Sequence, residues 1–364
     1  MSVRYFLISN MWPSEDNPGY GSFVRNVVDG LKDNSYDCAY RAVIVGRPKS
    51  FLDKLRRYMK FYLQIMRNYF KDYEFVYIHF PNQALPILIP LYFIKQKRII
   101  VNLHGEDLLY KDRGFSGLLG RMNDWFMAKA EAVIVPSDYY REVALERVQC
   151  SPERIAVSPS GGISPSAFYP EQTDVCDGSV VHIGYVGRID PNKGWRQFVK
   201  VVSMMPEDFD FKATVIGVGS EVDELKDEMG KIPAGKITYV SHVAQRELRK
   251  YYSNFDLLIF PTMRKEESLG LVGIEAMACG TPVIGSDIGG VPSYLEDGFN
   301  GFLVEPGDVD SIVDRILKYT EMSADEKIVM KRNCLERSKA YYTHNVVADL
   351  ARKFNFILDL NSVR

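Results

Sequence analysis

Two carboxylates, Glu267 and Glu275, stand eight positions apart in the run EESLGLVGIE (266–275). Between them, Gly270 and Gly273 allow close approach of backbone to a ligand, near the start of a helical pattern that continues through Ile274, Ala276, Met277 and Ala278 toward Gly280. The first amides of such a helix are free to meet an anion. The acids cannot serve an anion, but their acceptor oxygens suit hydroxyl groups. In the same half of the chain, YVGRIDPNKGW (185–195) sets Arg188 and Lys193 around a turn that holds Pro191 and Gly194. That turn follows a strand pattern, the position at which open α/β sheets bind ligands, and an anionic ligand accounts for both cations. Cations and free amides for a diphosphate, with hydroxyl acceptors on either side, fit a nucleotide sugar. Taken singly, each residue has a plainer explanation: a solvated loop for Arg188 and Lys193, a helix-dipole carboxylate for Glu267, and a solvated helix position for Glu275.

Other stretches are less specific. NPGYGSFVRNVV (17–28) puts Gly19 and Gly21 before a helix with Phe23, Val24, Val27 and Val28 on its apolar face, which suits either an anion site or an ordinary loop. VIGVGSEVDEL (215–225) starts like a dinucleotide fingerprint, but Val222 stands where the third glycine belongs, so an oxidoreductase reading loses its support. His104 closes a strand pattern, a place where a histidine is more often structural than catalytic. The acid pairs of DFD (208–210) and DVD (308–310) fall at a strand start and a helix start, and read as structural rather than metal-binding.

The elements that position these residues follow from periodicity. Short β-branched or aromatic runs alternate with amphipathic ones, which predicts parallel sheets with crossover helices. Expected strands are 4–8, 39–45, 75–79, 99–103 and 132–135, then 181–186, 212–216, 237–240, 257–260 and 283–285. The two sets imply two sheets, joined by the Pro-, Gly-, Ser- and Asp-rich stretch 159–180. Helical patterns follow at 308–321, 324–341 and 344–359. A chain of 364 residues, 46% hydrophobic, has room for two cores. Its net charge of −2 argues against bulk nucleic-acid binding. Five scattered cysteines without a C-x-x-C pair suggest neither disulfide framework nor zinc site, and fit a reducing cytosol. The N-terminus reads as a strand rather than a signal peptide. The longest apolar run, ALPILIPLYFI (84–94), has 11 residues, short of the roughly 20 that a spanning helix needs.

In order along the chain, these stretches resemble the family 4 retaining glycosyltransferases. Residues 266–308 are similar to the family's E-x7-E region with its G-T-P-V, G-G-x-P and tail elements, and GRIDPNKG (187–194) to its G-R-x-x-x-x-K-G. VIGVGSEVDEL is similar to its I-G-x-G turn, HVAQRELRKYYSNFDLLIFPT (242–262) to the segment before E-x7-E, and VSPSGGISPSAFYP (157–170) to its P-N-G-V-D linker. HGEDLL (104–109) is similar to its H-G-x-D and NPGYGSFVRNVVDGL (17–31) to its N-terminal glycine loop. Two positions depart: Ser293 stands where glutamate is frequent, and Ser160-Gly161-Gly162 replaces asparagine-glycine-valine, so no ligand role is carried onto them.

The resemblance implies an α/β protein of two facing Rossmann-like domains with parallel sheets and a cleft between them, the GT-B architecture. On that resemblance residues 1–165 would form the acceptor domain, with the helix at about 344–364 able to pack back onto it, and residues 175–343 the donor domain. It implies that Arg188 and Lys193 neutralise a donor diphosphate, that amides of Gly270 and Leu271 meet phosphates or sugar, that Glu267 holds sugar hydroxyls and Glu275 the ribose. Gly21 would belong to the donor site through its loop, and His104 would approach the transferred sugar. The expected donor is a UDP-sugar ahead of a GDP-sugar and the acceptor a glycan or lipid-linked glycan, with no metal and no other cofactor. An epimerase or phosphorylase on a related scaffold would not require the two acids, and a catalytically silent sugar-nucleotide binder would be expected to have lost Arg188, Lys193 or Glu267.

One further segment bears on location. In KSFLDKLRRYMKFYLQIMRNYFK (49–71), Phe51, Leu55, Tyr58, Tyr62, Ile65 and Tyr69 recur at helical spacing, and seven basic residues face one acid, Asp53. An apolar stripe on the first sheet, with Arg56, Arg57, Lys60, Arg67 and Lys71 turned to anionic headgroups and aided by Lys95, Lys97 and Arg98, would attach a cytoplasmic protein peripherally to the membrane.

Overall fold

The computed structural model describes residues 2–17, 19–105, 107–108, 114–171 and 180–360. Pro18 of the glycine loop, Glu106 and Leu109 of the HGEDLL run, residues 172–179 of the joining stretch and residues 361–364 lie outside them. The chain divides into two compact units, one of Met1–Gly162 with Thr343–Arg364 and one of Ile163–Tyr342.

The first unit carries β1 (Val3–Trp12), β2 (Tyr36–Val45), β3 (Phe75–His79), β4 (Ile99–Asn102), β5 (Ala132–Val135) and β6 (Ile155–Val157). Its helices are α1 (Ser22–Asp33), α2 (Phe51–Tyr69), α3 (Leu85–Ile94), α4 (Gly114–Lys129) and α5 (Asp138–Arg147). The second unit has β7 (Val181–Val186), β8 (Phe211–Ile216), β9 (Ile237–Val240), β10 (Leu257–Phe260), β11 (Val283–Ser286) and β12 (Gly301–Val304). Between and after them run α6 (Trp195–Met204), α7 (Val222–Met229), α8 (Leu248–Asn254), α9 (Leu271–Ala278), α10 (Val309–Glu321) and α11 (Ala324–Lys339). A last helix, α12 (Thr343–Leu360), returns to the first unit and packs on α1.

Both sheets are six-stranded, ordered β2-β1-β3-β4-β5-β6 and β12-β11-β10-β7-β8-β9, and every strand pair is parallel. The second is the Rossmann order, in which the chain reverses direction across the sheet between β7 and β10; in the first the reversal falls between β1 and β3. Crevices open at the carboxyl ends of strands at such points. The period of two along β1 shows why both faces need cover: Tyr5 and Leu7 enter a core with Val24, Val27, Leu31, Val347 and Phe354, while Phe6 and Ile8 enter one with Phe61, Ile65 and Leu88.

All ten expected strands are present. Two more, β6 and β12, complete the sheets at one edge each. They are three and four residues long, and β12 begins on a glycine, too little pattern for periodicity to register.

Helix α2 departs from expectation. Ser50 caps it, its hydroxyl accepting from the Asp53 N–H at 3.2 Å. Phe61, Ile65 and Tyr69 are buried and Tyr58 and Tyr62 half-buried, but Phe51 and Leu55, expected in the packed stripe, are exposed. The packed face is turned toward Phe61, which leaves Leu55 outside it, whereas Phe51, on the azimuth of buried Tyr69, is exposed because it stands in the helix's first turn. On the neighbouring segment, the Lys97 amine donates to the Lys71 carbonyl and Arg98 to that of Leu358, so these two cations are partly engaged within the fold.

Candidate functional site

In the second unit, strand β7 delivers the cationic turn. Tyr185, buried, holds the turn from beneath, its hydroxyl 3.1 Å from the carbonyl oxygens of both Arg188 and Lys193, with one proton shared between them. The turn ends on Gly194, at φ +89°, where a Cβ would lie 2.1 Å from the Pro261 carbonyl oxygen, so only glycine lets β7's turn sit against the end of β10. Trp195 then opens α6. The Ser220 backbone N–H and hydroxyl both donate to Asp190, which holds its carboxyl below the usual range, and Arg188 lies 2.5 Å from the other oxygen of the same carboxylate. Arg188 is thus held at its guanidinium end, although its side chain stays largely in solvent.

Lys193 and Glu267 meet: Nζ lies 2.8 Å from Oε2, and the Thr262 hydroxyl donates to the same oxygen at 3.3 Å. Both side chains are mostly buried, 19% and 11% exposed, so the pair is shielded enough to be a fixed feature of the site. Glu267 is held from the other side by the glycine pair that the sequence carries at 289–290. The Gly290 N–H donates to the Glu267 carbonyl at 2.9 Å, and Gly289, at φ +58°, packs against that same oxygen. Gly270 begins α9 at φ +75° and faces the ring of Phe260.

These parts share a cavity of about 330 Å³ at the carboxyl ends of β7, β8, β9 and β10, the reversal point of the sheet. Arg188, Lys193, Glu267, Gly270 and Leu271 all line it. Its other walls are mostly apolar, among them Val218, Val243, Leu248 and Phe260, with Ser241 and His242 adding polar groups. One end therefore gathers charge and free helix amides, and the other offers a surface for a flat apolar or aromatic group.

Glu275 does not line this cavity. It lies inside α9, buried, with Tyr252 donating to one carboxylate oxygen at 3.0 Å and Gln245 to the other at 3.3 Å. Burial raises its pKa to about 7, with those two hydrogen bonds pulling the other way. The solvated helix position open to it in the sequence is not the one it takes. Tyr252 and Gln245 had no signal of their own there, since their stretch reads only as helix, and neither did Thr262.

His104 and Gly21 belong to the first unit. The His104 ring lies between Phe80, stacked at 4.3 Å, and Phe23, tilted at 4.9 Å, with Nε2 3.0 Å from Nδ1 of buried His79. Desolvation lowers the His104 pKa to about 3 and takes that of His79 down as well, so both rings are neutral at pH 7. The His104 backbone N–H donates to Asp107 at 3.1 Å, which ties the H-G-x-D turn together. Gly21, at φ +75°, caps α1 where a Cβ would lie 2.7 Å from the Met11 carbonyl carbon. Asp308 of the DVD run caps α10, accepting from the Ser311 N–H at 3.0 Å.

Comparison with known proteins gives this arrangement its family. Residues 21–161 match the model of Glycosyltransferase Family 4 and residues 178–335 that of Glycosyl transferases group 1. A D-inositol 3-phosphate glycosyltransferase of Paenarthrobacter aurescens is 34% identical over 130 residues, 34% of this chain and 31% of that protein. An uncharacterized 41.2 kDa protein in the cps region of Klebsiella pneumoniae is 30% identical over 156 residues, 43% of this chain and 40% of that one. The chain thus spans well under half the length of either relative. Among solved structures, Anabaena HepE in complex with UDP and glucose superposes with a TM-score of 0.73 at 19% identity, over 96% of this chain and 99% of that one. The sucrose-phosphate synthase of Thermosynechococcus elongatus does so with a TM-score of 0.77 at 17% identity, over 98% and 100%. At such identity the likeness speaks to the fold, two Rossmann-like units of the GT-B type. With adjoining family models over both units, the chain belongs to the glycosyltransferases, as a Family 4 domain followed by a group 1 domain.

Proposed function

We propose that the protein transfers a sugar from a nucleotide-diphosphate sugar to a glycan or lipid-linked acceptor with retention of anomeric configuration. The observation that carries this reading is the Lys193 to Glu267 ion pair at the amide end of α9, inside a cavity that also presents Arg188. Arg188 and Lys193 neutralise the diphosphate, amides of Gly270 and Leu271 meet its oxygens, and Glu267 accepts from the hydroxyls of the transferred sugar. Glu275, outside the cavity and held by Tyr252 and Gln245, accepts from the ribose by exchanging one of those donors for a ribose hydroxyl. The apolar walls take the base. His104 and the Gly21 loop act from the first unit, His104 on the transferred sugar.

In the step itself, the bond from the anomeric carbon to the diphosphate oxygen breaks, and the diphosphate leaves with the electron pair. The acceptor oxygen bonds to the anomeric carbon on the same face, and its proton passes to the departing phosphate. Charge grows on the diphosphate, where two preorganised cations stabilise it, so the site needs no divalent ion. A UDP-sugar is favoured as donor; Anabaena HepE, of the same fold, has been crystallised with UDP and with UDP-glucose. The acceptor belongs to surface-glycan assembly at the cytoplasmic face of a membrane, where the basic face of α2 meets anionic headgroups. No helix among the described residues is long and apolar enough to cross a membrane.

The test is a thermal-shift screen of UDP-, GDP- and ADP-sugars, followed by mass spectrometry of products and proton NMR of the new linkage. Stabilisation by a UDP-sugar and an unchanged anomeric configuration are expected with EDTA present. No stabilisation by any nucleotide sugar, an inverted product or strict Mn²⁺ dependence would refute the corresponding part.

A further inference from the structure

Helix α2 leaves more apolar surface in solvent than a helix that only covers a sheet. At about 100° per residue its side chains sort into three faces. Phe61, Ile65 and Tyr69 are buried. Leu52, Leu55, Met59, Leu63 and Met66 form a second apolar face, and they are 75%, 51%, 57%, 59% and 40% exposed. Arg56, Lys60 and Arg67 make the third, also exposed. The exposed apolar area continues beyond α2. On α3, which packs beside it, Phe93 and Ile94 are each 72% exposed, and Phe93 stacks on Trp125 of α4 at 5.5 Å. A continuous face of this kind on a single chain marks a surface that meets something apolar.

Between the basic face of α2 and β2, an outermost strand of its sheet, lies a cavity of about 540 Å³. Trp12, Asp53 and the cations Arg41, Arg56, Arg57 and Lys60 are among the residues that line it. Arg57 is engaged, since its guanidinium pairs with Asp53 at 2.9 Å and donates to the Val45 carbonyl. Arg41 lies over the Trp12 ring at 5.7 Å. Asp53 also feels the charge of Arg56, while among the described residues no ion pair joins a carboxylate to Arg41 or Lys60. Four cations against one carboxylate, Asp53, therefore face one cavity, beside the exposed apolar face of α2.

We propose that this cavity holds the phosphate of an anionic lipid headgroup while the exposed face of α2, with Phe93, Ile94 and Trp125, lies in the acyl boundary of the bilayer. The proposal rests on the membrane reading above and deepens it. There, basic charge alone draws the protein to a surface; here, one kind of molecule satisfies two adjoining features, its phosphate the cations and its chains the apolar face. A free anion would fill the cavity and leave the face bare. A second copy of this chain would cover the face but bring the same positive charge to the cations.

The experiment is partition of the full chain onto vesicles of phosphatidylcholine alone, the same lipid with phosphatidylglycerol, and both with brominated acyl chains. Wild type is expected to prefer the anionic vesicles, and the brominated chains to quench its fluorescence; Trp125→Phe abolishes most of that quenching. Arg41→Gln with Lys60→Gln lowers partition onto anionic vesicles by about fivefold per cation and leaves phosphatidylcholine partition as it was. Met59→Asn with Leu63→Asn, at exposed positions, weakens partition onto both. Anionic partition unchanged by Arg41→Gln with Lys60→Gln would overturn the headgroup site, and unquenched tryptophan would overturn insertion of the face. Binding of inorganic phosphate without vesicle association would assign the cavity to a free anion, and a concentration-dependent dimer lost on Leu63→Asn would assign the face to a second copy; either overturns the proposal. A UDP-glucose thermal shift on the same wild-type preparation reports the transferase reading separately, so either can fail while the other stands.

Discussion

At the scale of single residues, Lys193 and Glu275 carry opposite electrostatic situations on neighbouring elements. Lys193 has its counter-charge built in, so a diphosphate would find a cation already oriented by Glu267 and by the backbone turn that Tyr185 holds. Replacing it, Lys193→Ala, is expected to lower turnover by about 10² to 10³, the cost of one preorganised contact to a growing oxyanion, with circular dichroism unchanged. Turnover within a few-fold of wild type would remove Lys193 from the diphosphate. Glu275 is buried without a cation, and its pKa of about 7 lies above the ordinary 4.5. Between these values the folded protein keeps a proton that the unfolded chain has released, so this group's contribution to stability falls as pH rises from about 4.5 through 7 and then levels off. Glu275→Gln has no such titration. Urea midpoints taken across that range should therefore move in favour of the variant with rising pH; a difference that stays flat would mean that the carboxyl is ionised in the fold. Tyr252 and Gln245, the donors to this carboxyl, could not be read from the sequence. Hydrogen bonds across 23 and 30 residues, from α8 and the turn before it to α9, leave no periodic trace, whereas the two acids themselves were legible because their spacing is local.

At the scale of elements, what made the site readable is that glycines and charges sit at fixed offsets from strand ends. The loop after β7 and the loop before α9 were both located from sequence, and the structure brings their named residues into one cavity. One edge strand of each sheet, β6 and β12, and the rotation of α2 were not located, for one shared reason: both depend on what packs alongside. A three-residue strand such as β6 exists only because β5 offers it a partner, and α2 turns its Phe61 inward only because β2 and α3 shape the surface beneath it. Gly270 supplies a test of how much the α9 entry depends on its backbone. At φ +75° and with Phe260 Cε1 only 2.6 Å from where a Cβ would be, Gly270→Ala meets both backbone strain and a ring that has to move. Gly235 is the control, since it has φ +86° with nothing within 4 Å of the same point. Gly235→Ala should cost about 1–2 kcal/mol, the price of a left-handed residue with a side chain. Gly270→Ala should cost distinctly more and weaken nucleotide binding as well, read from urea midpoints and titration of UDP. Equal costs at the two positions would show that Phe260 yields freely and that the α9 entry is not held by close packing.

At the scale of the whole molecule, the chain leaves its first unit at Gly162, builds the second, and returns for its last helix. The return matters because α12 closes a core that the first unit cannot close alone. Phe354 lies fully buried with ring centroids 5.6 Å from Tyr36, 5.6 Å from Phe75 and 5.2 Å from Tyr77. Tyr77 in turn meets His79 at 4.6 Å, and His79 pairs with His104, so the packing of α12 reaches by three ring contacts the strand ends that carry the first unit's site residue. Phe354→Ala should therefore destabilise the first unit by about 3–5 kcal/mol, the usual cost of deleting a buried aromatic ring, against a typical domain stability of about 5–15 kcal/mol. Because the second unit contributes nothing to that core, its own unfolding should be little changed. Calorimetry of the variant is expected to show one transition moved down while a second stays put, and the one that stays is the one that UDP raises. Two transitions displaced together would mean that the units unfold as one cooperative block, and that α12 stabilises the whole chain rather than the unit it rejoins.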